Sequence, residues 1–280
     1  MNPMKLNLSA ITLPLILFSI PILDGCGGTW VGNPGKPPNQ EEDPKTHVGE
    51  GEVNLSIAGK QADAAALTAF PVAVTGKDGQ EIGSILLSEA RIVLKNIRIK
   101  PVDQSIGLQE KYEGPYLVDL IKGVATPSLD TVVMPAGVYK DIELTMHKME
   151  DGDSFGLKGA AITDNSSLLG KSIEMSGTYT PADGGNSFRI TFSSEVGEEF
   201  SVAEALGKDA VITVDANTLN DIAVLFRFEE WFRFDRGSTV DFSELQGNTV
   251  LSDNSDNETE KKIQETIREN IKKSADYEDN

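Results

Sequence analysis

The sequence predicts a mainly β protein, an antiparallel β-sandwich followed by a single C-terminal α-helix. Short apolar runs of period two recur between Val53 and Phe226, and such alternation marks strands with one buried and one wet face. Turn-forming clusters separate the runs: Lys77-Asp78-Gly79, Glu113-Gly114-Pro115, Pro135-Ala136-Gly137, Asp151-Gly152-Asp153 and Asp183-Gly184-Gly185. Frequent turn chemistry between short strands is the pattern of a sandwich or open barrel. The segment Ser255 to Lys273 is the one strong helical candidate.

Residues 1–25 have the layout of a secretion signal. Lys5 supplies the positive start, and residues 11–23 form an apolar stretch followed by small residues. That stretch is short of the ~20 residues needed to span a bilayer, and Pro14 and Pro21 interrupt it. Leu23-Asp24-Gly25-Cys26 resembles the lipobox of bacterial lipoproteins, with Leu and Gly at matching positions and Asp24 departing from the usual small or apolar residue. The resemblance implies cleavage before Cys26 and acylation of its thiol. Gly27, rather than Asp, follows the cysteine, which is compatible with sorting to the outer membrane. Cys26 is the only cysteine, so intramolecular disulfides are excluded and stability must come from a core.

Residues 26–50 read as a disordered tether, rich in Pro and Gly and carrying the run Gln40-Glu41-Glu42-Asp43. Trp30 within it is either a membrane-interface aromatic or a partner contact. Past residue 25 the net charge stays at about −19, which argues against nucleic acid or anionic lipid as partners. Attachment to the membrane is expected through the acyl chains alone.

Residues 51–252 form the predicted sandwich. Val53, Leu55 and Ile57 alternate with Asn54 and Ser56, and Ile142, Leu144 and Met146 repeat the pattern. So do Ile173 to Tyr179, Phe188 to Phe192, Ile212 with Val214, and Ile222 to Phe226. Between Ala90 and Ile99 the apolar parity flips at Lys95–Asn96, which predicts either a β-bulge or two strands separated by a kink. Pro135 and Gly137 suit a tight turn launching the strand of Tyr139, whose hydroxyl is expected to tie to a neighbouring loop. Asp119 lies either on a wet face or buried with a partner.

Residues 253–280 comprise the helix and an acidic, frayed tail. Ser255 and Glu258 are spaced as a capping box, and Ile263, Ile267 and Ile271 form one stripe that either docks on the β domain or awaits a partner.

The segments Ile85 to Lys100, Gly114 to Leu120 and Met134 to Leu144, with Trp231-Phe232 and Val240-Asp241-Phe242, resemble an uncharacterised bacterial lipoprotein domain. That resemblance implies an Ig-like or carbohydrate-binding-like sandwich and carries no agreed binding residues. Tyr112, Tyr116 and Trp231 near predicted turns are the candidate ligand-stacking residues, and for Trp231 the competing reading is a plug at one end of the core.

Gly152-Asp153-Ser154-Phe155-Gly156 matches the nucleophile-elbow pattern, but that architecture needs a histidine after the serine, and His47 and His147 both precede it. His147, on the polar phase of its strand, is expected to be solvated. Two histidines and one acylated cysteine exclude structural zinc. Asp253, Ser255 and Asn257 copy the start of a calcium loop, yet Glu258 and Gln264 stand where Gly and Glu are required, and Asp151, Asp153 and Asp164 offer only a looser set. No metal, cofactor or enzymatic activity is therefore expected. The expected role is a membrane-anchored envelope module binding a glycan, peptide or envelope protein; the alternative is a structural or assembly component of the envelope. Replacing Cys26 by Ser is expected to release the protein from the detergent phase into the soluble fraction, and persistent partitioning of that variant would contradict the anchor.

Overall fold

A computed structural model of the chain describes residues 49–60, 70–103, 105–106, 109–151, 153–155, 160–161, 166–209 and 211–279. The signal segment 1–25, Cys26, Trp30, His47 and the tether up to residue 48 lie outside the described residues, as do Gly152, Gly156 and Asp164.

Strand β1 (Glu50–Lys60) buries Val53, Leu55 and Ile57, as its alternation predicts. After β2 (Phe70–Thr75) comes β3 (Glu81–Pro101), the spine of the larger sheet. The short strands β4 (Gln109–Tyr112), β5 (Tyr116–Asp119), β6 (Val124–Thr126) and β7 (Val132–Pro135) precede β8 (Gly137–Met146). A two-residue pair, β9 (Ser154–Phe155) and β10 (Ala160–Ala161), leads to β11 (Ile173–Pro181), β12 (Phe188–Ser194) and β13 (Glu199–Ser201). Helix α1 (Val202–Leu206), β14 (Ile212–Val214), β15 (Leu219–Arg227) and α2 (Phe228–Trp231) follow. Strand β16 (Thr249–Leu251), helix α3 (Glu258–Lys272) and β17 (Ala275–Asp279) close the sequence of elements.

One sheet runs β17-β15-β1-β7. The larger runs β13-β8-β3-β11-β12-β16, with β2, β4 and β5 also on β3, β6 on β5 and β14 on β8. Leu55, Val224 and Phe226 of the first sheet share one buried core with Ile92, Leu94 and Phe192 of the second, so the fold is mainly β and sandwich-like. It is not wholly antiparallel: β1 lies parallel to β15 from Glu52–Leu219 to Lys60–Arg227, and β16 lies parallel to β12. Alternation reports which face is buried and says nothing of the neighbour's direction. Both parallel pairs have the long intervening chain that such pairing needs.

The spine keeps its apolar side inward by changing phase twice. Ile85 and Leu87 are buried on odd positions, Ala90, Ile92 and Leu94 on even ones, and Ile97 and Ile99 on odd ones again. The second change is the bulge predicted at Lys95–Asn96: Asn96 takes φ 54° and the pairing with β8 shifts between Lys95 and Arg98. The first lies at Ser88, where the register with β11 slips between Ser176 and Gly177. Tyr139 makes the expected corner, its hydroxyl donating to the Pro135 carbonyl at 2.6 Å. Gly59 leaves a gap in β1 that the Phe228 ring occupies, since a Cβ there would come within 2.2 Å of the ring. Asp119 sits half-buried at the end of β5 and accepts from the Lys122 ammonium at 2.7 Å.

Helix α3 docks as one of the two readings of its stripe required. Ile263, Ile267 and Ile271 are buried in the common core, and the helix packs on α2, β12 and β16. Polar groups register it: Gln264 donates to the Ser193 carbonyl at 3.3 Å, and Asn270 to the Arg233 carbonyl at 2.7 Å. Its N-cap is Asn257, accepting from Thr259 N–H at 2.9 Å, instead of the Ser255 predicted. Ser255 donates to Glu260 from one turn earlier. The tail is a further correction, because Ala275–Asp279 is not frayed but pairs antiparallel with β15. Its side chains are poor strand formers; the backbone ladder and the Tyr277 hydroxyl bond to the Val211 carbonyl, 3.0 Å, hold it.

Burial holds the phenols of Tyr139 and Tyr179 up to about 12, against 10.0 for a free tyrosine, with Asp241 and Asp183 adding to the effect at Tyr179. The unfolded chain therefore loses these protons first, so this contribution to stability is whole below about pH 10 and declines as pH rises toward about 12. Urea unfolding across that range is expected to show the decline, and Tyr139→Phe to flatten it while costing about 1 kcal/mol at neutral pH through the lost Pro135 bond.

Candidate functional site

The structure corrects the aromatic stacking site. Trp231 is 0% exposed and Tyr112 2%, so neither presents a ring face to solvent; Tyr116 is half-buried, edge-to-face with Tyr112 at 6.4 Å. Trp231 is the core plug, packed edge-on against Phe228 at 4.8 Å, its indole N–H donating to the Ser274 hydroxyl at 2.8 Å. A buried indole needs a partner for that donor, and Ser274 in turn donates to the Ile271 carbonyl at the end of α3.

His147 is half-buried, with Nε2 2.8 Å from Asp153 Oδ2, and is not the solvated residue expected. Asp153 Oδ2 also accepts Glu150 N–H at 2.8 Å, so the pair closes the turn after β8. Burial opposes the Asp153 charge, but those bonds outweigh it and hold its carboxyl below the usual range. Asp253 accepts from Gln264, Arg268 and the Glu195 N–H, which commits the oxygens that a calcium loop would need. Among the described residues no three His, Cys, Asp or Glu side chains gather closely enough for a metal ion.

What the fold does build is a cleft of about 530 Å³ between two groups of elements. On one side stand Phe200, Glu204, Ala205 and Leu206 of β13 and α1; on the other stand Arg227, Glu230, Glu269, Lys272 and Lys273. A neighbouring groove of about 410 Å³ along α3 shares Arg236, Glu269 and Lys273 with it. The first wall is fixed by Asp141 of β8, which accepts from the Ser201 hydroxyl at 2.8 Å and the Ala203 N–H at 3.0 Å. Ser201 caps α1 by accepting Glu204 N–H at 3.0 Å, and Gly207 ends it with φ 65°. The second wall is fixed by Ser274, whose carbonyl accepts Arg227 N–H at 3.1 Å.

Most charges of the cleft are already matched. Glu230 holds Arg236 and Arg233, Glu199 meets Arg98 at 3.2 Å, and Lys272 meets Glu198 at 2.7 Å and Glu269 at 2.9 Å. Burial pulls the Lys272 ammonium down, but its bonds to Glu198 and Glu269 win and hold it above the ordinary lysine value. Arg227 differs. Of the seven arginines it is the part-buried one without a carboxylate partner among the described residues; its Nε is buried with no acceptor, as are those of Arg91, Arg98 and Arg268, so the missing ion pair is what sets it apart. Period two marks Arg227 only as pointing away from Phe226; the approach of α1 and α3, distant in sequence, makes its surroundings.

A second cavity, about 440 Å³, lies between Tyr179, Phe188, Phe242 and Leu245. Tyr179 and Phe242 are buried and pack edge-to-face at 5.2 Å, and the Tyr179 hydroxyl is committed to the Ile82 carbonyl at 2.8 Å, which leaves this slot without a free polar anchor on those rings.

No protein-family model matches the chain, and no curated protein matches it. Among solved structures it is similar to MbnP from Methylosinus trichosporium, at 14% identity and a TM-score of 0.35, over 76% of this chain and 86% of that one. Likeness of that degree assigns nothing to this protein.

Arg227→Met removes a buried donor that lacks an acceptor, a relief on the order of 1 kcal/mol, while keeping a flexible apolar stem. Thermal unfolding of this variant is expected at a temperature no lower than that of the parent.

Proposed function

We propose that the protein is a lipid-anchored binding module of the bacterial cell envelope, held at the outer membrane through acylated Cys26, and that it seats its ligand in the cleft between α1 and the C-terminal end of α3. The lipobox-like Leu23-Asp24-Gly25-Cys26 supports the address. The single observation that carries the site is Arg227, a part-buried guanidinium that lines a 530 Å³ cleft and forms no ion pair among the described residues. Natural chains keep unmatched groups of this kind where function needs them, and the volume lies within the ~300–1,000 Å³ of small-ligand sites.

Binding, not turnover, is the role that fits. The one hydroxyl on the cleft wall, Ser201, is committed to the fold: it donates to Asp141 and accepts Glu204 N–H as the cap of α1. Peptide is favoured over glycan because the cleft offers paired and unpaired charges rather than open ring faces. A role as an assembly component acting through a free helix is disfavoured, since the isoleucine stripe of α3 lies in the core.

Amine-reactive crosslinking of intact envelopes, with adducts mapped by mass spectrometry, tests this reading. Adducts are expected at Lys272 and Lys273, and Leu206→Trp, which fills the cleft, is expected to reduce them about tenfold without changing the circular-dichroism spectrum. Unchanged adduct yield in the filled variant would overturn the site.

A further inference from the structure

Resting on the reading of the cleft as a ligand site, we infer that its ligand is a short peptide with a free C-terminal carboxylate, gripped by Arg227, with apolar side chains against Phe200 and Leu206 and an amino group facing Glu204.

The argument starts from what is left over after the internal pairs are counted. Four bases, Arg227, Arg236, Lys272 and Lys273, and four acids, Glu199, Glu204, Glu230 and Glu269, line the cleft. Arg236, Lys272, Glu199, Glu230 and Glu269 are each held in an ion pair. Arg227, Lys273 and Glu204 have no ion-pair partner among the described residues. Lys273 and Glu204 are exposed and solvated, whereas Arg227 is part-buried, so the charge a ligand must match is that of Arg227; a cationic group on the same ligand would meet Glu204.

The anionic group is a carboxylate. A guanidinium fork matches the two oxygens of a carboxylate in a bidentate pair, and a part-buried Arg gains more from that geometry than a lysine would. A doubly charged phosphate suits the cleft poorly, because four carboxylates share the walls and the whole chain carries a net charge of −19.

The body of the ligand is apolar and small. The half-buried Ala205 and Leu206 give one wall an apolar stretch, and it rests on Phe200, which is 6% exposed and backed edge-on by Phe226 at 5.9 Å. The groove that shares Arg236, Glu269 and Lys273 continues along α3 past Thr266, which gives a longer peptide somewhere to run.

Calorimetric titration of the full lipidated protein in detergent tests this with L-alanyl-L-alanine, its N-acetyl form, its C-terminal amide and inorganic phosphate. The free dipeptide is expected to bind, the amide roughly tenfold or more weakly, and phosphate more weakly still. Arg227→Lys is expected to lose roughly tenfold for the acid forms, because it keeps charge and loses the fork. Glu204→Gln is expected to weaken the free dipeptide and leave the N-acetyl form unchanged.

Equal binding of acid and amide, undiminished binding by Arg227→Met, tighter binding of phosphate, or no binding of any dipeptide at millimolar concentration would each overturn the inference. Leu206→Trp separates this from failure of the site. If it abolishes dipeptide binding while Arg227→Met does not, the cleft stands and the carboxylate grip falls. If Leu206→Trp leaves binding intact, the cleft itself is wrong.

Discussion

The buried hydrogen bond from the Trp231 indole to the Ser274 hydroxyl, 2.8 Å long, is the constraint around which the end of the molecule that carries the cleft is arranged. Ser274 stands between α3 and β17, and Trp231 ends the helix that follows β15. Joining them fixes the last turn of α3, which carries Lys272, against the end of β15, which carries Arg227. The backbone of Ser274 repeats the tie by accepting Arg227 N–H. Asn270 adds bonds to the Trp231 and Arg233 carbonyls, so the same turn is held at several points. Breaking the indole bond would leave an unpaired donor in the core, at a cost on the order of 1–3 kcal/mol before packing is counted.

Electrostatics acts on this frame mainly by exclusion. Exposed ion pairs such as Arg98–Glu199 contribute at most about 1 kcal/mol each to stability. Their larger effect is on availability: Glu199, Glu230 and Glu269 are engaged with Arg98, Arg236 and Lys272, so none of them turns to Arg227. A chain this acidic has carboxylates to spare, with 44 Asp and Glu against 25 Lys and Arg. A half-buried arginine left without one is therefore not a consequence of scarcity. Bases without an ion pair among the described residues, such as Lys208 and Arg189, are exposed to solvent, whereas Arg227 is partly withdrawn from it, which is the kind of local inconsistency that accompanies a site kept open for a ligand.

Much of the scaffold was legible because it rests on local rules. The parity flip at Lys95–Asn96, the Pro135–Tyr139 corner and the isoleucine stripe each follow from spacing within a dozen residues. The bulge at Ser88 was not legible, since Ser88, Glu89 and Ala90 blur the phase where it changes. Parallel pairing of β1 with β15 was hidden for another reason, because the two strands are more than 150 residues apart and alternation is blind to direction. The tail was not legible because Asp276, Glu278 and Asp279 have low strand propensity, whereas its strand is held by a backbone ladder to β15, the buried Ala275 and the Tyr277 hydroxyl. Arg227 lay furthest from view: neither its missing partner nor the walls around it follow from the strand it ends.

The same logic explains why the cleft is lined by charge and not by aromatic ring faces. These 280 residues contain one cysteine, so no internal disulfide relieves the core of its share in stability. Large side chains must then go inside, and Trp231, Phe226, Phe228, Phe232, Phe234 and Phe242 are all buried in a single cluster. A ring buried on both faces contributes through the area it removes from water and has no face left for a sugar. Polar side chains are not under that demand. Helix α1 is only five residues long, anchored by Val202 in the core and by the bonds of Asp141 to Ser201 and Ala203. The gap between it and α3 is lined by the charged ends of Glu204, Arg227 and Lys273 over an apolar floor at Phe200. A cysteine-poor sandwich that commits its aromatics to packing thus leaves its unpaired polar chemistry at the periphery, where the proposed site sets a partly dry guanidinium beside α1.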